Sequence, residues 1–255
     1  MTDTFDRTDR AAALPSDLLL SGARLLHQAF LREPYRSIRS QSVVFGPDDT
    51  DPHVILIHRG IGLRRCTLPD GRRSLLDVLL PGDIVGLDHA VIGSSEQELV
   101  AATALGFQAI SGFRMRALME DQAIAVRALA LAGQTRRRMD RHLAAVCCLS
   151  TRERLCVFLL DVYDRMLRRG LVDGARFVLP MMQKQIAHYL GVTPVHVSRT
   201  FLAMRAEGLV EINRQVVVLL NVDGLREIVS GLPPTTVLPE VLRRDAGGDM
   251  ALGSS

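Results

Sequence analysis

The sequence predicts an α+β chain in three parts: a small antiparallel β-roll, one long helix, and a compact helical unit that closes on a hairpin. Three observations carry this. Between residues 42 and 110, short runs rich in β-branched and other apolar residues alternate with turn signals. From about 114 to 147 the turn residues nearly vanish and the apolar period becomes helical. Between 180 and 221 two amphipathic helices meet at Gly191, and two β-branched runs follow.

Composition sets the bounds. A chain of 255 residues, 47% hydrophobic, can bury two small cores. Net charge is only +3, so bulk positivity does not select a polyanion partner. Lys184 is the sole lysine, and from 179 to 232 five Lys/Arg face four Asp/Glu. No run approaches a membrane span and no secretory leader is legible, so a cytoplasmic chain is expected. Cys66, Cys147, Cys148 and Cys156 form no Cys-x-x-Cys pair and are read as reduced thiols.

Taken in order, residues 1–15 are polar, without periodicity, and are expected to be a flexible N-terminus. Residues 16–31 carry Leu18, Leu19, Ala23, Leu26 and Phe30 at helical spacing and open a sensor-like β-roll domain over 16–113. Strands are expected at 42–45, 53–58, 61–68, 74–80 and 99–104, with Pro69-Asp70-Gly71 as a hairpin turn. Residues 114–149 are expected to form one rod of roughly 45 Å. Ile124, Ala128, Leu131, Thr135, Met139, His142 and Val146 fall near a/d spacing and are the expected dimer seam. Arg136, Arg137, Arg138 and Arg141 read as a solvated helix face. Ser150 and Glu153 form a capping box that opens the last domain, 150–232, and the tail 233–255 is expected to be flexible.

The 180–221 stretch is the most informative. Ile186, Ala187 and Leu190 give the first helix an apolar face, and Gly191 can end it in the left-handed conformation. Thr193 is a good N-cap and Pro194 suits the first helical position. The second helix, 194–207, turns Val197, Phe201 and Met204 inward and Val195, His196, Ser198 and Arg199 outward. This is a helix-turn-helix, whose second helix can enter a DNA major groove. The runs 210–212 and 216–220 around Asn213-Arg214-Gln215 read as a wing. Arg199 can donate twice to a guanine edge, and Val195 can touch a thymine methyl. His196 can add one hydrogen bond. Ser198, Thr193, Lys184, Arg205 and Arg214 are candidates for backbone phosphates.

The run from Leu190 to Thr200 closely resembles the recognition element of the Crp/Fnr family of bacterial transcription regulators. The likeness extends over roughly residues 40 to 230. It implies a cyclic-nucleotide-binding-like roll, a dimerisation helix, a winged helix-turn-helix, a homodimer on an inverted repeat, and contact with RNA polymerase. Members that bind cyclic AMP carry a Gly-Glu-x-x-Gly-Glu phosphate cassette. Here the corresponding run is Gly82-Asp83-Ile84-Val85-Gly86-Leu87, and no Lys or Arg occurs from 74 to 113. An unpartnered buried phosphate would cost several kcal/mol, so cyclic AMP binding is not expected. The chain fits best the branch resembling nitrogen-fixation regulators, which often works without a known small effector.

No cofactor and no metal are expected. The cysteines are too scattered for an iron–sulfur cluster, and His27, His53, His58 and His89 read as ordinary polar residues rather than haem ligands. No His-Glu-x-x-His, Ser-x-x-Lys or Gly-rich phosphate loop points to an enzyme. The alternative of another class is an adaptor whose winged unit contacts a protein.

Overall fold

The computed structural model of the chain describes residues 16–231 apart from 48, 51, 72 and 94–96. The predicted flexible ends, 1–15 and 233–255, lie outside the described residues. The first helix, α1 (Ser16–Leu31), buries Leu19, Gly22, Leu26, Ala29 and Phe30, one stripe at three- and four-residue spacing. Gly22 lets it cross the long helix, α4 (Gln122–Cys148), at backbone contact. A Cβ there would lie 2.0 Å from the Ala123 carbonyl oxygen.

The roll consists of β1 (Arg36–Ile38), β2 (Val43–Phe45), β3 (His53–Arg59), β4 (Gly62–Thr67), β5 (Arg73–Leu79), β6 (Ile84–Val85), β7 (Gln97–Ala101) and β8 (Leu105–Ser111). They form two antiparallel sheets, β1-β8-β3-β6 and β2-β7-β4-β5. The Pro69-Asp70-Gly71 turn joins β4 to β5, with Gly71 at φ 82° donating its N–H to the Leu68 carbonyl at 2.9 Å. Strands β1, β6 and β8 escaped the sequence pattern. β1 and β6 are too short to show a period, and β8 is buried along nearly its whole length, which erases alternation. Between the sheets, Phe45, Ile55, Ile57, Leu79, Leu99, Leu105 and Phe107 pack into one apolar cluster. The short helix α2 (Leu87–Ile92) springs from Gly86, at φ 92°, where a Cβ would meet the His53 carbonyl oxygen at 2.4 Å.

The predicted rod is two helices. α3 (Gly112–Leu118) ends before α4 begins, because the Asp121 carboxylate caps the second start, accepting from the N–H groups of Ala123 and Ile124 at 2.8 and 3.2 Å. Part of the predicted seam is also spent within the chain. Ile124 and Ala128 are buried with Leu26, Phe30 and Met115 in a cluster beneath the roll, and Leu131 packs against it. His142 stacks on Tyr189 with ring centroids 4.0 Å apart. Thr135 and Val146 are half-buried, and Met139 is 39% exposed. A heptad count on one helix cannot tell a face that meets a partner from one that meets its own domain.

Two extended residues, Leu149 and Ser150, separate α4 from α5 (Thr151–Leu167). The capping box forms as predicted, with the Ser150 N–H donating to Glu153 Oε2 at 2.8 Å. Beyond it come β9 (Arg176–Val178), α6 (Gln183–Leu190), α7 (Pro194–Ala206), β10 (Val210–Asn213), β11 (Val216–Leu219) and α8 (Val222–Ile228), with sheet order β10-β11-β9. Their core, around Leu159, Ile186, Leu190, Val197, Phe201 and Met204, is continuous with Ile61, Leu63, Val78 and Leu80 on the outer face of the roll. Leu63 and Val78 pair across β4 and β5 and point away from the roll interior. The winged unit is thus docked on its own roll.

Candidate nucleic-acid interface

The turn between α6 and α7 is built from its sequence. Gly191 takes φ 67°, in the left-handed region, and the Val192 N–H returns to the Ala187 carbonyl at 3.0 Å. Two residues on, Thr193 Oγ1 accepts the His196 N–H at 3.3 Å, and Pro194 occupies the first helical position. Val197, Phe201 and Met204 are buried, which fixes the rotation of α7 about its axis. Thr193, Val195, His196, Ser198 and Arg199 are consequently all exposed along its N-terminal half. Arg199 has no hydrogen bond or ion pair to a described residue, so its guanidinium is available. The His196 ring is held near the cap, with Nδ1 3.2 Å from Thr193 Oγ1.

The remaining predicted contacts are spread around this centre. Lys184 is exposed in the first turn of α6. Arg214 sits at the wing tip with φ 54°, an uncommon conformation for a side chain bearing a Cβ. Arg205 lies at the other end of α7, 3.6 Å from Glu211, and is partly engaged. Sequence reasoning missed Leu202. It shares the outward face with Val195 and Arg199 and is 69% exposed. The spacing 195, 199, 202 could have found it.

Two further groups were missed because their partners are distant in sequence. Arg154 donates from Nε to the Leu149 carbonyl at 2.8 Å and from Nη1 to the Leu190 carbonyl at 3.1 Å. It so joins the end of α4 to the end of α6, satisfying carbonyls a helix leaves open. The second group is a buried charge cluster. Asp77 and Asp83 of the roll are 5% and 8% exposed. Arg138 of α4 binds Asp77 at 2.8 Å, Arg169 binds Asp83 at 2.6 Å, and Arg165 of α5 binds Asp83 and also the Val78 carbonyl at 2.9 Å. Arg64 approaches Asp77 to 3.7 Å. Arg138, read from sequence as part of a solvated face, is therefore an ion-pair partner of the roll.

Burial alone opposes ionisation of Asp83, but the guanidinium groups of Arg165, Arg169 and Arg138 outweigh it and hold its carboxyl well below the usual aspartate range. Burial lowers the pKa of His142 and keeps the ring neutral against Tyr189. Burial also pushes the Cys156 thiol up to about 11, which marks it as a packing residue, whereas Cys147 and Cys148 are exposed. Among the described residues no helix is long and apolar enough to cross a membrane.

The profile of the Crp-like helix-turn-helix domain matches residues 153–228, the unit just described. The nitrogen fixation regulation protein FixK of Rhizobium meliloti is 30% identical over 162 residues, covering 63% of this chain and 71% of FixK. The chain belongs to the Crp/Fnr family. The transcriptional regulatory protein Btr of Bordetella pertussis is 32% identical over 166 residues, covering 62% of this chain and 66% of Btr. Among solved structures, FixK2 from Bradyrhizobium japonicum superposes with a TM-score of 0.69 at 25% identity, over 77% of this chain and 96% of FixK2. The predicted family and fold class both hold: this is a Crp/Fnr-type transcription regulator with a helix-turn-helix DNA-binding domain.

Proposed function

We propose that two copies of this chain pair through α4 and present two α7 helices to successive major grooves of an inverted-repeat site, about 34 Å apart. The observation that carries this reading is the exposed, unpaired Arg199 on a helix whose rotation is fixed by a buried opposite face. Arg199 reads guanine. Val195, joined by Leu202, meets thymine methyls, and His196 adds one polar contact. Thr193, Ser198, Lys184, Arg205 and Arg214 meet phosphates and set register. Contact with RNA polymerase belongs to the same reading. Nothing in this arrangement calls for catalysis.

The pairing face differs from the one the heptad count selects. Val126, Leu129, Gly133, Arg136, Asp140, Leu143 and Cys147 also alternate at spacings of three and four, and lie on the outward side. Leu129 and Leu143 are 72% and 62% exposed in the single chain, as expected of residues that a second copy covers. Leu143→Arg should give a folded monomer by light scattering and lower palindrome affinity at least tenfold, a cost of about 1.4 kcal/mol. Leu131→Arg should instead destabilise the chain itself, because Leu131 packs under the roll. An intact dimer in Leu143→Arg would move the seam elsewhere.

The roll is read as not taking a cyclic nucleotide. Its interior is packed with side chains, Leu87 stands where a ribose-binding carboxylate is needed, and Asp83 is engaged by arginines. Calorimetric titration with cyclic AMP should show no binding at millimolar concentration; a saturable heat would overturn this part. For the whole reading, selection from a random duplex pool with competitor DNA should recover a two-fold symmetric site.

A further inference from the structure

Besides the His142–Tyr189 stack and the Arg154 bonds near the end of α4, two features bear on how the winged unit is held to the rest of the chain. One is the joint at Leu149 and Ser150, two extended residues between α4 and α5. A joint this short, by itself, leaves a unit free to swing, because two soft dihedrals per residue suffice for a hinge. The other is the buried charge cluster, some distance along α5. There Arg165 and Arg169 hold Asp83, Arg138 holds Asp77, and Leu80 N–H and Val78 N–H fix the two carboxylates at 2.7 and 2.9 Å. Ile61, Leu63, Val78 and Leu80 supply an apolar floor beside it. An apolar floor tolerates sliding, whereas charge-assisted hydrogen bonds of fixed direction do not.

We propose that Asp77 and Asp83 are positioning residues for DNA reading: through Arg138, Arg165 and Arg169 they set the angle at which the recognition helix is presented, and so the half-site spacing the protein accepts. The inference deepens the proposed reading of an inverted repeat and rests on it. None of these side chains touches DNA in that reading, since all lie where the roll meets α4 and the α5 end of the winged unit. Base preference within a half-site belongs to α7 and is untouched by them. Spacing belongs to the relative orientation of two rigid bodies. One added base pair turns a half-site by roughly 35° and shifts it by about 3.4 Å, so only a held angle rejects it. Asp83 also follows Gly82 in the run that corresponds to the family's phosphate cassette. In this chain that loop is spent on gripping the DNA-binding unit.

The test uses the full chain and the palindrome recovered by selection, with the central spacer lengthened or shortened by one and two base pairs. The wild type should prefer one spacer by at least tenfold. Arg138→Gln with Arg169→Gln, both at the edge of the cluster and partly exposed, should flatten that profile to within about threefold while keeping the same half-site bases. Asp83→Asn should act in the same direction. Leu26→Ala, which empties a site in the other cluster of the roll, is the control for a merely structural loss. It should lower thermal stability and leave the spacer profile sharp. If the Arg138/Arg169 variant melts earlier but still rejects altered spacers, the cluster is structural only and the positioning role is wrong. If the wild type selects no palindrome at all, the inverted-repeat reading fails first and takes this inference with it.

Discussion

Arg199→Ala is expected to weaken binding to the preferred palindrome by ~1–3 kcal/mol per half-site, because one bidentate arginine–guanine pair is lost in each. A dimer carries the loss twice, so affinity should fall by about thirtyfold or more. Binding to random duplex should fall far less, since the only term lost there is one phosphate attraction per subunit. The substitution should not unfold the chain, because the side chain is exposed and unpaired. Competition titrations with the palindrome and with its single-base variants check both statements. Discrimination should relax at one base pair per half-site and persist at the others. Equal losses on specific and random DNA would make Arg199 a phosphate contact.

Asp83→Asn should destabilise the folded chain by about 3 kcal/mol at neutral pH. Removing one partner of a buried ion pair leaves the other charge undercompensated. Of its carboxylate partners, Arg165, 4% exposed, would keep only Asp77 at 3.8 Å and Asp161 at 3.4 Å. The pH dependence follows from the direction of the shift. The folded pKa of Asp83 is depressed below its ordinary value of 3.8, so the unfolded chain takes up the proton first. The contribution is whole at neutral pH and declines as pH falls from that ordinary value toward the folded one. Urea unfolding at pH 7 should therefore show a wide gap between wild type and variant, and at pH 3 a narrower one. A gap that widened on acidification would contradict the assignment of the charge.

How much of this was legible in advance differs from element to element. The helix-turn-helix was readable almost residue by residue because its determinants are local. Gly191 needs a left-handed backbone, Thr193 caps, Pro194 starts a helix, and each acts within four residues. The Ser150–Glu153 box was readable for the same reason. The heptad count could not show that Ile124, Ala128 and Leu131 are covered by their own chain, because several α4 residues satisfy a heptad equally well and only the position of α1 and the roll says which are already covered. The charge cluster could not be read at all. Asp83 and Arg165 stand 82 positions apart, and neither carries a local signature of burial.

By itself the sequence determined the family, the fold class, the capping and turn chemistry of the reading unit, and the outward set on α7, since short-range sterics and hydrogen bonding decide these. Only the tertiary structure decided which face of α4 is spent inside the chain, how the winged unit sits on its roll, and which arginines are ion-pair partners rather than solvated charge. Those outcomes depend on burial and on contacts between residues remote in sequence, where the free energy of a charge or an apolar stripe is set by what the fold places against it.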